Sequence, residues 1–246
     1  MPGDSAMSSR PRLVLIHGSA ADHTTWSILL ASPLRESFEL IAIDRPLALT
    51  SVEAHADYAV AQLGDDTTPA LIAGSSFGAV IALDAIRRYP SRFASAVLIE
   101  PPMAPTEEPS PEQRSMQEAF DTRRAAAGDE AAAELFLRTV LGDTAYERMP
   151  RAYQERSKAK AAQIRADSIA LLAYQPRYAE LASVRVPVLL LGGERSASYF
   201  RPTLDALLRS LPRAELHVVP KAGHMLHAEA HRTFGELLVA FASRAG

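Results

Sequence analysis

The sequence predicts an α/β protein, a mostly parallel sheet of about six to seven strands flanked by helices, with a helical insertion between two of the strands. Three observations carry that reading. Six short aliphatic and β-branched runs recur along the chain, and their near-continuous apolarity suits strands covered on both faces of a parallel sheet. Helical patterns lie between most of them, and this alternation implies right-handed βαβ crossovers. The rhythm breaks once, between residues 101 and 184, where no convincing strand appears.

In chain order the strands fall at residues 12–17 (RLVLIH), 38–43 (FELIAI), 70–73 (ALIA), 94–99 (ASAVLI), 186–191 (VPVLLL) and 214–219 (AELHVV). Helices are expected over residues 24–31, 52–63, 77–89, 198–211 and 227–243. The insertion opens on a proline-rich stretch, and its first helix has a readable start. Ser110 is placed as N-cap, Pro111 at the first helical position, and Gln113 where it completes a capping box. Asp129 and Asp143 are expected as N-caps of two further helices. Residues 12–100 and 185–246 would then form the core, 101–184 the insertion, and 1–11 a flexible tail.

Composition narrows the function classes. The chain has 246 residues, more than a typical domain of roughly 150, which fits one domain with an insertion. With 26 basic and 29 acidic side chains the formal charge is −3, so there is no electrostatic footprint for nucleic acid or an anionic membrane. No apolar run approaches the roughly 20 residues of a membrane span. The absence of cysteine excludes a disulfide scaffold, thiol catalysis and thiolate metal sites. The first dozen residues are polar and lack the apolar stretch of a signal peptide, so a cytoplasmic protein is expected.

The chemistry concentrates in residues 70–90. An apolar strand runs into Gly74-Ser75-Ser76-Phe77-Gly78 and directly out into a helix, the context a G-x-S-x-G match requires. Small residues at 74 and 78 allow a turn tight enough to lift the Ser76 hydroxyl off the end of the sheet. A serine hydroxyl needs a base within hydrogen-bond reach. Of the seven histidines, His224 lies in the loop after the last predicted strand. Strand C-terminal ends share one edge of a parallel sheet, so that loop and the Ser76 turn share an edge. His17 reads as structural support in the first loop. His55, His217, His227 and His231 fall on helices or inside a strand, and His23 is a minor candidate for ligand contact.

With these motifs the chain resembles the α/β-hydrolase superfamily from residue 12 onward. The resemblance implies that His17-Gly18 begins the oxyanion loop. The backbone N–H groups of Ser19 and of Phe77, the residue after the nucleophile, would be the two oxyanion donors. Both are main-chain groups, and Phe77 also gains from the helix dipole. In most of the family the acid is an aspartate after the next-to-last strand. That register places Ser196 there, so the usual acid is missing. A second location known in the superfamily, the end of the strand following the nucleophile helix, holds Glu100, which is the expected acid, with Glu194 in reserve. An aspartate nucleophile would imply dehalogenase or epoxide hydrolase chemistry, and serine at position 76 excludes both.

The resemblance implies a cofactor-free serine hydrolase, with no metal, cleaving a small or medium carboxylic ester, thioester or lactone through an acyl-enzyme. It would act as a monomer or homodimer on a small-molecule ester-like substrate. Carbon–carbon bond hydrolysis, a cofactor-free lyase or cyclase step, and a receptor-like member with vestigial hydrolysis remain open at this point. The insertion is similar to the helical cap of these enzymes, which gives Met103, Phe120, Phe136, Tyr146 and Tyr174 as substrate-binding candidates. Trp26, after the oxyanion loop, is a further one. Asp44-Arg45 stands where relatives commonly carry a glycine-rich turn.

Overall fold

The computed structural model describes residues 10–245. Most of the tail expected over residues 1–11 lies outside them. Its last two residues are tied down: Arg10 donates to the Arg35 carbonyl, and the Pro11 carbonyl accepts from the Glu39 N–H at 3.0 Å.

Six strands form the sheet: β1 (Arg12–Ile16), β2 (Glu39–Ile43), β3 (Ala70–Ser75), β4 (Phe93–Ile99), β5 (Val188–Gly193) and β6 (Ala214–Val219). All pairs are parallel, in the order β2-β1-β3-β4-β5-β6. The order reverses direction at β1, so the crevice beyond the ends of β1 and β3 is a topological switch point, where open α/β sheets bind ligands. The four inner strands are buried as their apolarity implies. β2 and β6 lie at the two edges and are half-exposed, a departure from the uniformly buried reading.

The helices between β1 and β4 are α1 (Ser27–Leu30), α2 (Leu34–Ser37), α3 (Val52–Ala61) and α4 (Phe77–Arg88). Between β4 and β5 come α5 (Pro111–Ala127), α6 (Asp129–Leu141), α7 (Asp143–Arg148), α8 (Arg151–Lys158), α9 (Ala161–Ala173) and α10 (Tyr178–Leu181), followed later by α11 (Phe200–Ser210), α12 (Leu226–Glu229) and α13 (His231–Ala245). The region expected as one helix over 24–31 is a 3-10 turn, His23–Trp26, followed by α1, and the closing helix breaks at Ala230.

Alternation along each strand sorts the core into two layers. Val14, Ile16, Ile72, Leu98 and Leu190 face α3, α4 and α11, while Leu13, Leu15, Ala73, Ile99 and Leu191 face α1, α2 and α13. The insertion has its own apolar cluster, with Phe120, Ala132, Leu137, Tyr146 and Ile164. The Ser110–Gln113 capping box forms as expected. Asp129 and Asp143 are not N-caps. Gly128 and Gly142 each close one helix and open the next, which leaves the aspartates at the first helical position, where their charge still interacts favourably with the helix dipole.

Besides His224, three histidines are buried: His17, His55 and His227. Burial pushes their pKa values down to about 4, about 4 and about 3, assisted by the Arg45 cation at the first two and by His224 at the third. They stay neutral in the fold until the pH approaches 4, whereas an unfolded histidine takes up a proton below about 6.5. The unfolded chain then binds more protons, so stability is lost as the pH falls from 6.5 toward 4. Asp22 and Asp44 are held below the ordinary carboxylate range by hydrogen bonds and neighbouring positive charge, against the opposing effect of burial, so their contribution disappears only at lower pH. The urea midpoint at pH 5 should lie below that at pH 7, with His227 alone accounting for on the order of 2 kcal/mol. Equal midpoints at the two values would contradict this.

Candidate active site

The turn between β3 and α4 is built by steric necessity. A Cβ on Gly74 would fall 2.1 Å from the Gly78 carbonyl oxygen, and one on Gly78 would fall 2.3 Å from that of Ile16. Only glycine allows this approach. Ser76 sits at the apex with φ 55° and ψ −123°, a conformation that non-glycine residues rarely adopt. Its N–H is anchored to the Ile99 carbonyl at 2.8 Å. The strain is thereby held by the neighbouring strand, and the side chain stands partly exposed.

One strand over, Glu100 is also at positive φ, 43°, with its N–H on the Leu191 carbonyl at 3.1 Å. Its carboxylate is 1% exposed and fully engaged. Oε1 accepts from the Gly193 N–H at 2.7 Å, and Oε2 accepts from His224 Nδ1 at 2.6 Å. The imidazole is fixed in plane as well, stacked on Phe200 at 4.4 Å between centroids and 7° between planes. With Nδ1 donating to the carboxylate, Nε2 is left as the acceptor nitrogen. Glu194, by contrast, is exposed and accepts from the Lys221 N–H at 2.7 Å. It braces a turn and leaves His224 to Glu100.

Ser76 and His224 line one narrow cavity of about 40 Å³ together with Gly18 and Ser19. The hydroxyl and the imidazole share it without a hydrogen bond between them. Phe77 is the first residue of α4, so its N–H has no intrahelical acceptor. Among the described residues the N–H of Ser19 takes no acceptor either. Two larger spaces adjoin. One of about 260 Å³ is lined by Ser19, Ser76, Met103, Met116, Phe136 and Val140. The other, an open cavity of about 960 Å³, shares Thr25, Leu141, Met149, Tyr153 and Met225 with the narrow one. Among the described residues no group of three or more histidine, aspartate or glutamate side chains is placed to hold a metal ion.

Of the substrate-binding candidates, Met103 and Phe136 reach the space beside Ser76. Phe120 lines a separate groove of about 460 Å³ with Pro111, Met116 and Tyr199. Trp26 is fully buried, with its ring against His227 at 4.5 Å and Phe234 at 6.3 Å, because the short α1 turns it down onto the sheet. Tyr146 packs inside the insertion under the Arg138 guanidinium. Tyr174 lies in the layer beneath the sheet with its hydroxyl on Asp84 at 3.3 Å. These three lie away from the space beside Ser76: a place in the insertion, or after the first loop, does not say which interface a side chain faces. His17 is a loop brace, its Nε2 accepting from the Arg45 N–H at 3.2 Å. His23 pairs with Asp44 at 2.7 Å. Sequence reasoning gave no role to Phe200, Arg45 or Asp167. The Asp44-Arg45 departure was the one available signal for the last pair.

Comparison with known proteins identifies the fold and the family. Over 96 residues the chain is 35% identical to a pimeloyl-[acyl-carrier protein] methyl ester esterase of Aromatoleum aromaticum, a match spanning 37% of this chain and 37% of that protein. The fold is similar to that of MenH from S. aureus, with a TM-score of 0.81 at 16% identity over 98% of this chain and 96% of the other. It is similar too to a thermophilic esterase from Thermogutta terrifontis, with a TM-score of 0.80 at 19% identity over 96% and 91%. The model of the alpha/beta hydrolase family matches residues 13–236. With a strained serine at the switch point and nearly its whole length matched, the chain belongs to the alpha/beta hydrolase family.

Proposed function

We propose that the protein is a serine hydrolase that cleaves a small or medium carboxylic ester, thioester or lactone through Ser76, His224 and Glu100. The observation that carries this reading is the buried 2.6 Å bond from Glu100 to His224, whose imidazole lines the same cavity as Ser76. Such a carboxylate holds the imidazole in one tautomer and stabilises the imidazolium as it forms. The named activity of the Aromatoleum aromaticum relative, a methyl ester esterase, supports an ester as substrate.

In the proposed cycle His224 Nε2 takes the Ser76 proton as Oγ attacks the carbonyl carbon. The resulting oxyanion is received by the N–H groups of Ser19 and Phe77, two fixed dipoles worth about 2.7–4 kcal/mol each at comparable sites. His224 then protonates the leaving alkoxide or thiolate, which departs and leaves an acyl-Ser76 ester. A water gives its proton to His224 and attacks the acyl carbon, and the serine is regenerated with release of the acid. The cycle requires no cofactor. The helices of residues 101–184 act as the cap over the site. The 260 Å³ space lined by Met103, Phe136 and Val140 takes the acyl chain, and the open cavity takes the leaving group.

Burst kinetics with p-nitrophenyl esters test the assignment. Ser76→Ala should lose turnover by several orders of magnitude, and Glu100→Gln by about a thousandfold to ten-thousandfold. Glu194→Gln should stay within about threefold of the wild type, since that side chain serves only a turn. An active Glu100→Gln beside an inactive Glu194→Gln would reverse the choice of acid.

The pocket assignment has its own measurement. Val140→Phe fills the acyl space, so kcat/KM for hexanoyl esters should fall at least about tenfold relative to acetyl esters. An unchanged chain-length profile would place the acyl group elsewhere.

A further inference from the structure

The Arg45 guanidinium is buried at the end of β2, its side chain 1% exposed, and it grips a carboxylate of the insertion with both arms. Nη1 donates to Asp167 Oδ1 at 2.9 Å and Nη2 donates to Oδ2 at 2.7 Å. A pair this deep contributes little net stability, because desolvation offsets the attraction. What it does contribute is direction to a loop. Two further Arg45 hydrogen bonds fall on the segment that carries Ser19. Nε donates to the His17 carbonyl at 3.2 Å, and Nη2 donates to the Gly18 carbonyl at 3.1 Å. The Gly18 carbonyl also accepts from His17 Nδ1 at 2.8 Å, and the Ser19 hydroxyl donates to Asp167 Oδ2 at 2.7 Å.

A trans peptide carries its C=O and its N–H on opposite sides, and the described peptide bonds are all trans. Two donors holding the Gly18 carbonyl therefore fix the N–H of Ser19 pointing away from the guanidinium. The same guanidinium lies over the Phe77 ring, 4.7 Å from its centroid, beside the second donor. Gln163, one turn before Asp167 on α9 and with its amide oriented to satisfy its neighbours, donates to the Ala21 carbonyl and accepts from Arg45 Nη2, both at 3.3 Å. The loop is seated on the insertion through Ala20 as well, which packs at positive φ into the cluster of Phe120, Ala132 and Leu137.

From this arrangement we infer that Asp167 is a positioning residue, acting from α9 through Arg45 to aim the Ser19 N–H at the oxyanion. The inference rests on the esterase reading above. It makes the insertion part of the reaction's machinery: with α9 docked, the donor is aligned, and with α9 displaced, Arg45 is left without its counter-charge and the Gly18 peptide loses its fixed orientation.

The test compares wild type, Asp167→Asn and the double variant Arg45→Met/Asp167→Leu in steady-state esterase kinetics. Titration with a trifluoromethyl ketone analogue of the ester, whose adduct with Ser76 carries an oxyanion, and thermal melting complete the set. Asp167→Asn should lose about tenfold to a hundredfold in kcat, the cost of a modest misplacement, with KM changed by less than about threefold. Its affinity for the ketone should fall in the same proportion as kcat. The double variant removes both charges and keeps apolar volume, so it should melt near the wild-type temperature while retaining the loss in kcat and in ketone affinity. Recovery of kcat together with the melting temperature would reduce the pair to a structural one and overturn the inference. An active wild type with an equally active Asp167→Asn would overturn it alone. A wild type inert toward every ester would overturn the proposed function and this inference together.

Discussion

A hydrogen bond of 2.6 Å joins Glu100 to His224 across 124 residues of chain, and the rest of the candidate site is arranged around it. The bond depends on strand direction. Glu100 follows β4 and His224 follows β6, with β5 between them, and the parallel sheet puts the C-terminal ends of all three on one edge. The turn of Ser76 follows β3 on the same edge. Gly193, at the end of β5, closes the arrangement by donating its N–H to the other carboxylate oxygen. A carboxylate buried this deeply would be costly without such partners, and it has one at each oxygen.

The backbone at this edge is strained at the candidate site. Ala20, Ser76 and Glu100 all adopt positive φ, each at a cost on the order of 1–3 kcal/mol that surrounding structure must offset. The offset is visible. Ser76 and Glu100 each hang from the carbonyl of the adjacent strand through their own N–H, and Ala20 is buried in the insertion's apolar cluster. Rigid strands thus hold side chains and amides in orientations that a free loop would not keep.

The helical insertion enters the site from the other side. Met116, Phe136 and Val140 line space beside the serine, Tyr153 donates to Thr25 at 3.3 Å beside the open cavity, and Asp167 reaches the first loop. The insertion meets the core through a buried ion pair as well as apolar contact, so the alignment of its helices and the shape of the site are set together.

Much of this was legible in the residues themselves. Strand periodicity, the Ser110 capping box and the strand-turn-helix context of Gly74 to Gly78 are local features, governed by neighbours a few positions away, and sequence determined them. The resemblance to the superfamily pointed to Glu100, with Glu194 in reserve, and the order of the parallel strands put the loop of His224 on the same edge. Tertiary structure alone decided which aromatic side chains face the cavity, sending Phe136 into it and Trp26, Tyr146 and Tyr174 into separate interfaces. It alone brought Arg45 to Asp167, 122 positions away. The physical reason is that a helix pattern specifies which face is apolar and leaves the choice of neighbour to packing, and a buried ion pair is written in two distant places with nothing local to join them.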